Sequence, residues 1–287
     1  MKNRLDPLPL PDQHGRTWLI TGATNGVGRE TARAAARAGA RVLLTARDAE
    51  RGAQVRRELG DARVIELDFA DLSRVRAGAE QVDEPVDVFV NCAGRVSQRR
   101  EETTDGFEAL FGTNFLGPFA FTNLIADQVK ERIVIVGSDA HRSAHLDFND
   151  LQITRGWKPF TAYGRSKLAT MLWGLELERR LAGRGVGVFL AHPGWAHTNI
   201  QNLFNDRINA AVTAITAPMA QSAADGAQNV LMAATSDLPA GSYIGPAGWR
   251  ALRGRPTLLG RSPDASDPAL ARRLWDVAAS LTFTDLP

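Results

Sequence analysis

Tyr163 and Lys167 are the two residues of this chain whose types and spacing most directly suggest chemistry. Four positions apart in a stretch with helical character, they share one helix face about a turn from each other. An ammonium beside a phenol favours the phenolate, which draws the tyrosine pKa down from about 10 toward the range where it can exchange a proton with a substrate near neutral pH. The spacing alone is common, because packing plus a solvated charge accounts for most such pairs. Its meaning depends on what the rest of the chain brings to the same place.

The elements that must position the pair alternate between short apolar runs and amphipathic stretches. Strands are predicted over 17–20, 41–45, 63–67, 86–90, 132–136, 186–190 and 242–244, and helices over 27–38, 48–59, 72–81, 104–129, 162–181, 209–234 and 267–281. Gly112, Gly117 and Pro118 interrupt the fourth of these helices and Pro218 breaks the sixth; residues 245–262 read as a long irregular loop. Strands of nearly continuous apolar character, each followed by a helix, mean a parallel sheet covered on both faces. The expected fold is α/β, a doubly wound Rossmann-type domain of about seven strands over 16–287, with residues 1–15 as an N-terminal extension.

Ligands of such a sheet sit at the carboxyl ends of its strands. After the first strand comes Thr21-Gly22-Ala23-Thr24-Asn25-Gly26-Val27-Gly28, whose glycines allow a tight turn and whose following helix offers N–H groups to a pyrophosphate. Its spacing of glycine, three residues, glycine, one residue, glycine differs from GxGxxG. Arg47, ending the second strand, is placed to hold a ribose 2′-phosphate, which points to NADP(H), with NAD(H) also possible; Asp48 reads as a helix cap. Asp68 and Phe69 end the third strand where an adenine amino group would lie, and Asn91, Ala93 and Gly94 end the fourth, the last two small enough to let a cofactor cross. Cys92 between them reads as a packing residue. Ser138, after the fifth strand, can hydrogen-bond a carbonyl oxygen that Tyr163 protonates, and Asn114 has the reach to join them from its helix. After the sixth strand, Pro193 and Gly194 fix a turn and Thr198 can bond a nicotinamide carboxamide.

In that order, TGxxxGxG, the NAG-like run, the helical Asn114, the strand-end Ser138, YxxxK and PG resemble the short-chain dehydrogenase/reductase family over nearly the whole chain. Leu44-Thr45-Ala46-Arg47-Asp48, Ser166-Lys167-Leu168-Ala169 and His192-Pro193-Gly194-Trp195 look closest to its retinol dehydrogenase and carbonyl reductase group, which generally uses NADP(H). The resemblance implies that Ser138 polarises a carbonyl and that Tyr163 is acid in reduction and base in oxidation. It implies that Lys167 lowers the tyrosine pKa and binds nicotinamide ribose, and that Asn114 holds a water linking Lys167 to solvent. Hydride would pass directly between nicotinamide and substrate carbon, with no metal. Cys92 stands where a second asparagine is commoner, and Gly137 where a serine is frequent. The resemblance further implies a homodimer or homotetramer built on the helices over 104–129 and 162–181. A non-catalytic dinucleotide-binding or sensor protein of the same fold is the alternative reading, and epimerase chemistry is disfavoured by the glycine spacing.

The totals agree with a globular enzyme. The chain has 287 residues, 44% of them hydrophobic, and 34 basic residues interspersed among 32 acidic ones, so no basic block suggests nucleic acid. A single cysteine fits a reducing compartment, and residues 1–15 carry no apolar signal or anchor, so a cytoplasmic protein without membrane contact is expected. Substrate contacts are expected in 141–160 and 195–217, where Trp157, Trp195, Leu203 and Phe204, with Val96, suggest a hydrophobic small molecule. His141, His145 and His197 read as loop or surface histidines.

Overall fold

The computed structural model describes residues 9–195 and 221–287. In chain order its main elements are β1 (Thr17–Ile20), α1 (Gly26–Arg37), β2 (Arg41–Ala46), α2 (Ala49–Leu59), β3 (Ala62–Glu66), α3 (Leu72–Glu80) and β4 (Val86–Asn91). There follow α4 (Ala109–Phe111), a π-helical turn (Gly112–Leu116), α5 (Gly117–Leu124), β5 (Val129–Val136) and α6 (Pro159–Leu181). The chain then adds β6 (Gly187–Ala191), α7 (Ala223–Thr235), β7 (Tyr243–Pro246), β8 (Pro256–Leu258) and α8 (Pro268–Thr282). The strands form one sheet in the order β3-β2-β1-β4-β5-β6-β7-β8, parallel throughout except for β8. The order reverses between β1 and β4, and that switch is where a doubly wound sheet opens a crevice for a ligand.

Strand periodicity of two divides the core into two layers. Leu19, Leu43, Phe89, Ile133 and Leu190 point to the side of α5, α6 and α8, whereas their neighbours Trp18, Val42, Val88, Val134 and Phe189 point to the side of α1 and α7. Side-chain caps start the helices: Asn25 accepts from Gly26 N, Asp48 from Arg51 N at 2.9 Å, and Asp267 from Ala269 N at 2.7 Å. The Ser222 and Asp225 side chains close a reciprocal capping box on α7.

Several expected boundaries move. The helix predicted over 104–129 begins only at Ala109, contains the π-helical turn, and ends at Leu124. Pro118 has no N–H to give the carbonyl four residues back, which is that of Asn114, so regular α-helical bonding fails at the turn. The freed Asn114 carbonyl accepts instead from Thr170 Oγ1 at 3.2 Å. Gly117 has a separate reason: a Cβ there would lie 2.6 Å from the Phe69 carbonyl oxygen. β5 starts at Val129 rather than 132, its exposed Lys130 and Glu131 having hidden its first turn of the ladder. The loop expected over 245–262 instead contains the end of β7 and the antiparallel edge strand β8, Pro246 pairing with Pro256. Prolines at a sheet edge need give no ladder N–H, so they masked strand rather than excluded it. Of the helix predicted over 209–234, residues up to 220 lie outside the described residues.

The helix faces expected to meet a second subunit are buried within the chain itself. α8 lies across α5 and α6, with the Trp275 ring 4.8 Å from that of Phe119 and the Arg180 guanidinium 4.3 Å above Trp275. Every residue from Gly117 to Asn123 is buried.

Candidate active site

At the β1 and β4 ends, Thr21 is the fastener. Its hydroxyl donates to Asn91 Oδ1 at 2.9 Å and accepts from the amides of Cys92 and Ala93 at 3.1 and 3.0 Å. Gly22, at φ +68°, brings the turn so close that a Cβ would sit 2.9 Å from Ala93 Cα, and a Cβ on Gly28 would sit 2.5 Å from the Gly22 carbonyl oxygen. α1 therefore starts directly over the switch point, with Thr24 half-buried and the Asn25 cap exposed. No acidic residue occupies its first turn, so its N-terminal N–H groups present an unopposed positive end. A cradle that any side chain would fill, capped by a helix N-terminus, fits the diphosphate of a dinucleotide. Val27 faces inward and packs on α7 at Gly226, which also meets the Pro193 carbonyl.

The remaining predicted cofactor residues divide. Arg47 is exposed at the end of β2 and forms no ion pair with a described residue, while Asp48 is committed to capping α2. Asp68 Oδ1 accepts from Ala70 N at 3.0 Å. The Phe69 side chain is core, its ring 5.9 Å from Phe121, so only its backbone faces the strand end. Gly94 is exposed, and a Cβ on it would be 3.5 Å from Asn114 Oδ1 and 3.7 Å from Lys167 Nζ. Gly194, at φ +70°, is hemmed by Gln221, Leu252 and Pro246, and the Pro193 carbonyl accepts from Gln221 Nε2 at 2.6 Å. Thr198, with His197, Leu203 and Phe204, lies outside the described residues.

α6 carries Tyr163 and Lys167, both buried, beneath the end of β5. The Ser138 hydroxyl hydrogen-bonds the Tyr163 side chain and also accepts from Ala140 N at 3.3 Å. Lys167 Nζ donates to the Val136 carbonyl at 3.0 Å and lies 5.9 Å from the centre of the tyrosine ring. The expected lowering of the Tyr163 pKa by Lys167 is corrected here. Burial raises it above the ordinary tyrosine value, and the opposing influence is the Ser138 hydrogen bond. The physical reason is that the ammonium is turned to Val136 and is itself desolvated, which pulls Lys167 down to about 8 against a small opposing effect of Cys92. The Cys92 thiol is pushed up to about 12 by burial, with Lys167 opposing, and so behaves as a packing group.

Asn114 reaches the site from the π-helical turn, but its side chain is already committed. Oδ1 accepts from Arg95 N at 2.7 Å, and Nδ2 donates to Arg95 O and to Ser166 Oγ, each at 3.0 Å. It thus pins the irregular segment after Gly94 to α6 in the turn before Lys167. Around Tyr163 an apolar wall is formed by Leu110, Ile153 and Ala162, with Val96, Ala140 and Trp157 packed against it. Trp195 is half-buried, its N–H bonded to Leu252 O at 2.7 Å and its carbonyl to Gln221 N at 2.9 Å.

The histidines depart most from expectation. His145 is exposed and bonds Asp264 at 2.7 Å, but His141 is fully buried, its ring turned back to the Ser138 carbonyl at 2.6 Å. His192, buried beside the PG turn, is pulled down to about 4 chiefly by desolvation. Thr21, His141 and His192 lie beside the predicted site residues without having been singled out as candidates; their only sequence signal is a place soon after a strand end, which many residues share. Among the described residues no cluster of His, Cys, Asp and Glu is placed to hold a metal ion, and no helix is long and apolar enough to cross a membrane.

The family model for short chain dehydrogenase matches residues 16–209. The chain belongs to the short-chain dehydrogenase/reductase family. Among members of this family, it is 35% identical to retinol dehydrogenase 14 of Homo sapiens, the match covering 92% of this chain and 85% of that protein. It is also 35% identical to polyprenol dehydrogenase of Mus musculus, over 96% and 86% of the two chains. Among solved structures, an uncharacterised protein from Mycobacterium paratuberculosis superposes with TM-score 0.84 at 38% identity, over 97% of each chain. A blue fluorescent protein from a metagenomic library, in complex with NADPH, superposes with TM-score 0.66 at 27% identity, over 81% of this chain and 96% of the other. This short-chain dehydrogenase/reductase is an oxidoreductase acting on alcohol or carbonyl groups with NAD(P).

Proposed function

We propose that the protein interconverts a hydrophobic carbonyl compound and its alcohol with NADP(H) as the preferred cofactor, Tyr163 serving as the acid and base. The observation that carries this reading is the hydrogen bond between Ser138 and the buried Tyr163, with an apolar wall on the substrate side and a glycine cradle on the cofactor side. Bound NADPH would supply the hydride.

The chain's own residues do the rest. Burial keeps the Tyr163 phenol protonated at rest, so it can deliver a proton to an oxygen that Ser138 also contacts. Lys167, with Nζ beside the open face of Gly94, would hold the ribose hydroxyls, and its charge there would favour the phenolate that a proton delivery leaves behind. Asn114 keeps that geometry by fixing Arg95 and Ser166, and a water at its π-helical turn would complete the link from Lys167 to solvent. Arg47, exposed and without a described ionic partner, supports NADP(H) over NAD(H). Leu110, Ile153 and Trp157 favour a lipophilic substrate, in keeping with the retinol and polyprenol named for the relatives. With α5 and α6 buried under α8, a homo-oligomer would form through other surfaces.

The test is Tyr163→Phe, assayed with NADPH on all-trans-retinal, nitrobenzaldehyde and a range of aliphatic ketones. Turnover should fall by about a thousandfold or more while NADPH still quenches protein fluorescence, since a positioned acid and base contributes roughly that much. Full activity in the variant would sink the assignment.

A further inference from the structure

We infer that His141 is a positioning residue: it fixes the backbone of Ser138 through one imidazole nitrogen and ties it to the segment over 259–266 through the other. The inference rests on the reading above, in which the Ser138 hydroxyl contacts the reacting oxygen.

The two partners of the ring decide its proton. Nδ1 lies 2.6 Å from the Ser138 carbonyl, which can only accept, so Nδ1 bears the hydrogen. Nε2 lies 3.3 Å from Ser262 N, which can only donate, so Nε2 is bare. Only the neutral Nδ1–H tautomer satisfies both, and the ring has the burial to keep it, being fully enclosed and set edge-on to Tyr243 at 5.7 Å. The Ser138 carbonyl also accepts from His141 N at 3.2 Å, so one oxygen is held from two directions within the turn that aims the hydroxyl at Tyr163. Desolvation holds the imidazole below its ordinary pKa, against the Ser138 bond and Asp139, while Arg142 and Arg261 add to the lowering. His192 and Tyr243 are the other titratable groups facing this pocket. The tether is reinforced around the ring: Arg142 bonds the Gly260 carbonyl, and His145 bonds Asp264. The edge of the sheet after β8, remote in sequence from Ser138, is thereby fastened to it through His141.

Two variants and one spectrum test this. His141→Leu keeps the volume and removes both bonds, whereas His141→Asn keeps a donor near the position of Nδ1. With nitrobenzaldehyde and NADPH, His141→Leu should lower kcat by about ten- to hundredfold while the dissociation constant for NADPH stays unchanged, since small misplacements of a reacting group cost that much. His141→Asn should recover most of the loss. An unchanged kcat in the leucine variant, or an asparagine variant no better than it, would overturn the positioning role. Nitrogen-15 spectra of the wild-type imidazole, which do not depend on activity, should show a protonated Nδ1 and a bare Nε2 at neutral pH; the opposite tautomer would overturn the geometry. A wild type inactive on every carbonyl tested would count against the functional reading instead, while the spectrum would still decide the tether.

Discussion

Lys167 Nζ donates to the Val136 carbonyl at 3.0 Å, so the ammonium is fixed by the end of the strand that leads to Ser138 rather than by the tyrosine one turn away. That bond does not offset complete burial, and Lys167 is pulled down to about 8 from 10.5. The unfolded chain therefore binds more protons than the folded one between those values, and in that window stability rises with pH. Below about pH 8 the folded protein carries the full cost of a buried cation, on the order of 3 kcal/mol. Lys167→Met should flatten this portion of the curve. Urea midpoints of parent and variant, measured without cofactor from neutral to alkaline pH, check it; identical slopes would show that Lys167 does not titrate there.

Arg47 and Asp48 are adjacent and do different work. Asp48 spends its carboxylate on Arg51 N, leaving no acid at the end of β2 to take ribose hydroxyls, and Arg47 stays exposed. Arg47→Ala should weaken NADPH by about tenfold to a hundredfold, the loss expected for a charge-assisted bond to phosphate, and leave NADH almost unaffected. Titrations of both cofactors by fluorescence quenching measure the ratio directly. An unchanged preference would remove Arg47 from the site.

Much of this is legible in the amino-acid sequence. The glycine spacing reports contacts at Gly22 and Gly28 so tight that only glycine serves and a positive φ at Gly26, and Tyr163, Lys167 and Ser138 stand at positions where strand and helix periodicity brings them together. Local pattern could not show what depends on remote partners. The outer nitrogen of the His141 ring is met by Ser262 N, over a hundred residues away, and the strand β8 is revealed only by its pairing with β7. The pKa direction of Tyr163 also escaped, because spacing gives proximity to Lys167 but not the desolvation that outweighs it. The π-helical turn was half visible: Gly112, Gly117 and Pro118 marked an irregularity, and only the Thr170 bond to the Asn114 carbonyl shows how it is satisfied.

Gly94 offers a cleaner probe of the cofactor path than the turn glycines do. A Cβ on Gly22 or Gly28 would strike backbone and damage the fold, but a Cβ on Gly94 meets Asn114 Oδ1 and Lys167 Nζ only at ordinary contact distances. Gly94→Val should leave the thermal midpoint within a few degrees of the parent, as expected for an exposed substitution. It should also weaken NADPH by more than about tenfold, by filling the space that leads to Lys167. Calorimetric titration against NADPH decides the point, and normal affinity would move the cofactor path off this strand end.

Trp275 sits on Phe119 at 4.8 Å, donates Nε1–H to Asp285 at 2.9 Å, and lies beneath Arg180, so α8 seals a surface rich in aromatic side chains. Phe115 and Trp173 lie directly behind Phe119 in the same cluster. Removing the indole leaves a cavity against these rings, and Trp275→Ala should cost about 3–5 kcal/mol. It also loosens an element that covers part of α5 and α6, creating an apolar patch of the kind that drives association. Light scattering should therefore show the variant's mass rising with concentration beyond that of the parent. A variant that loses stability without any change in association would mean that α8 stays docked, held by Leu274, Ala271 and Ala278.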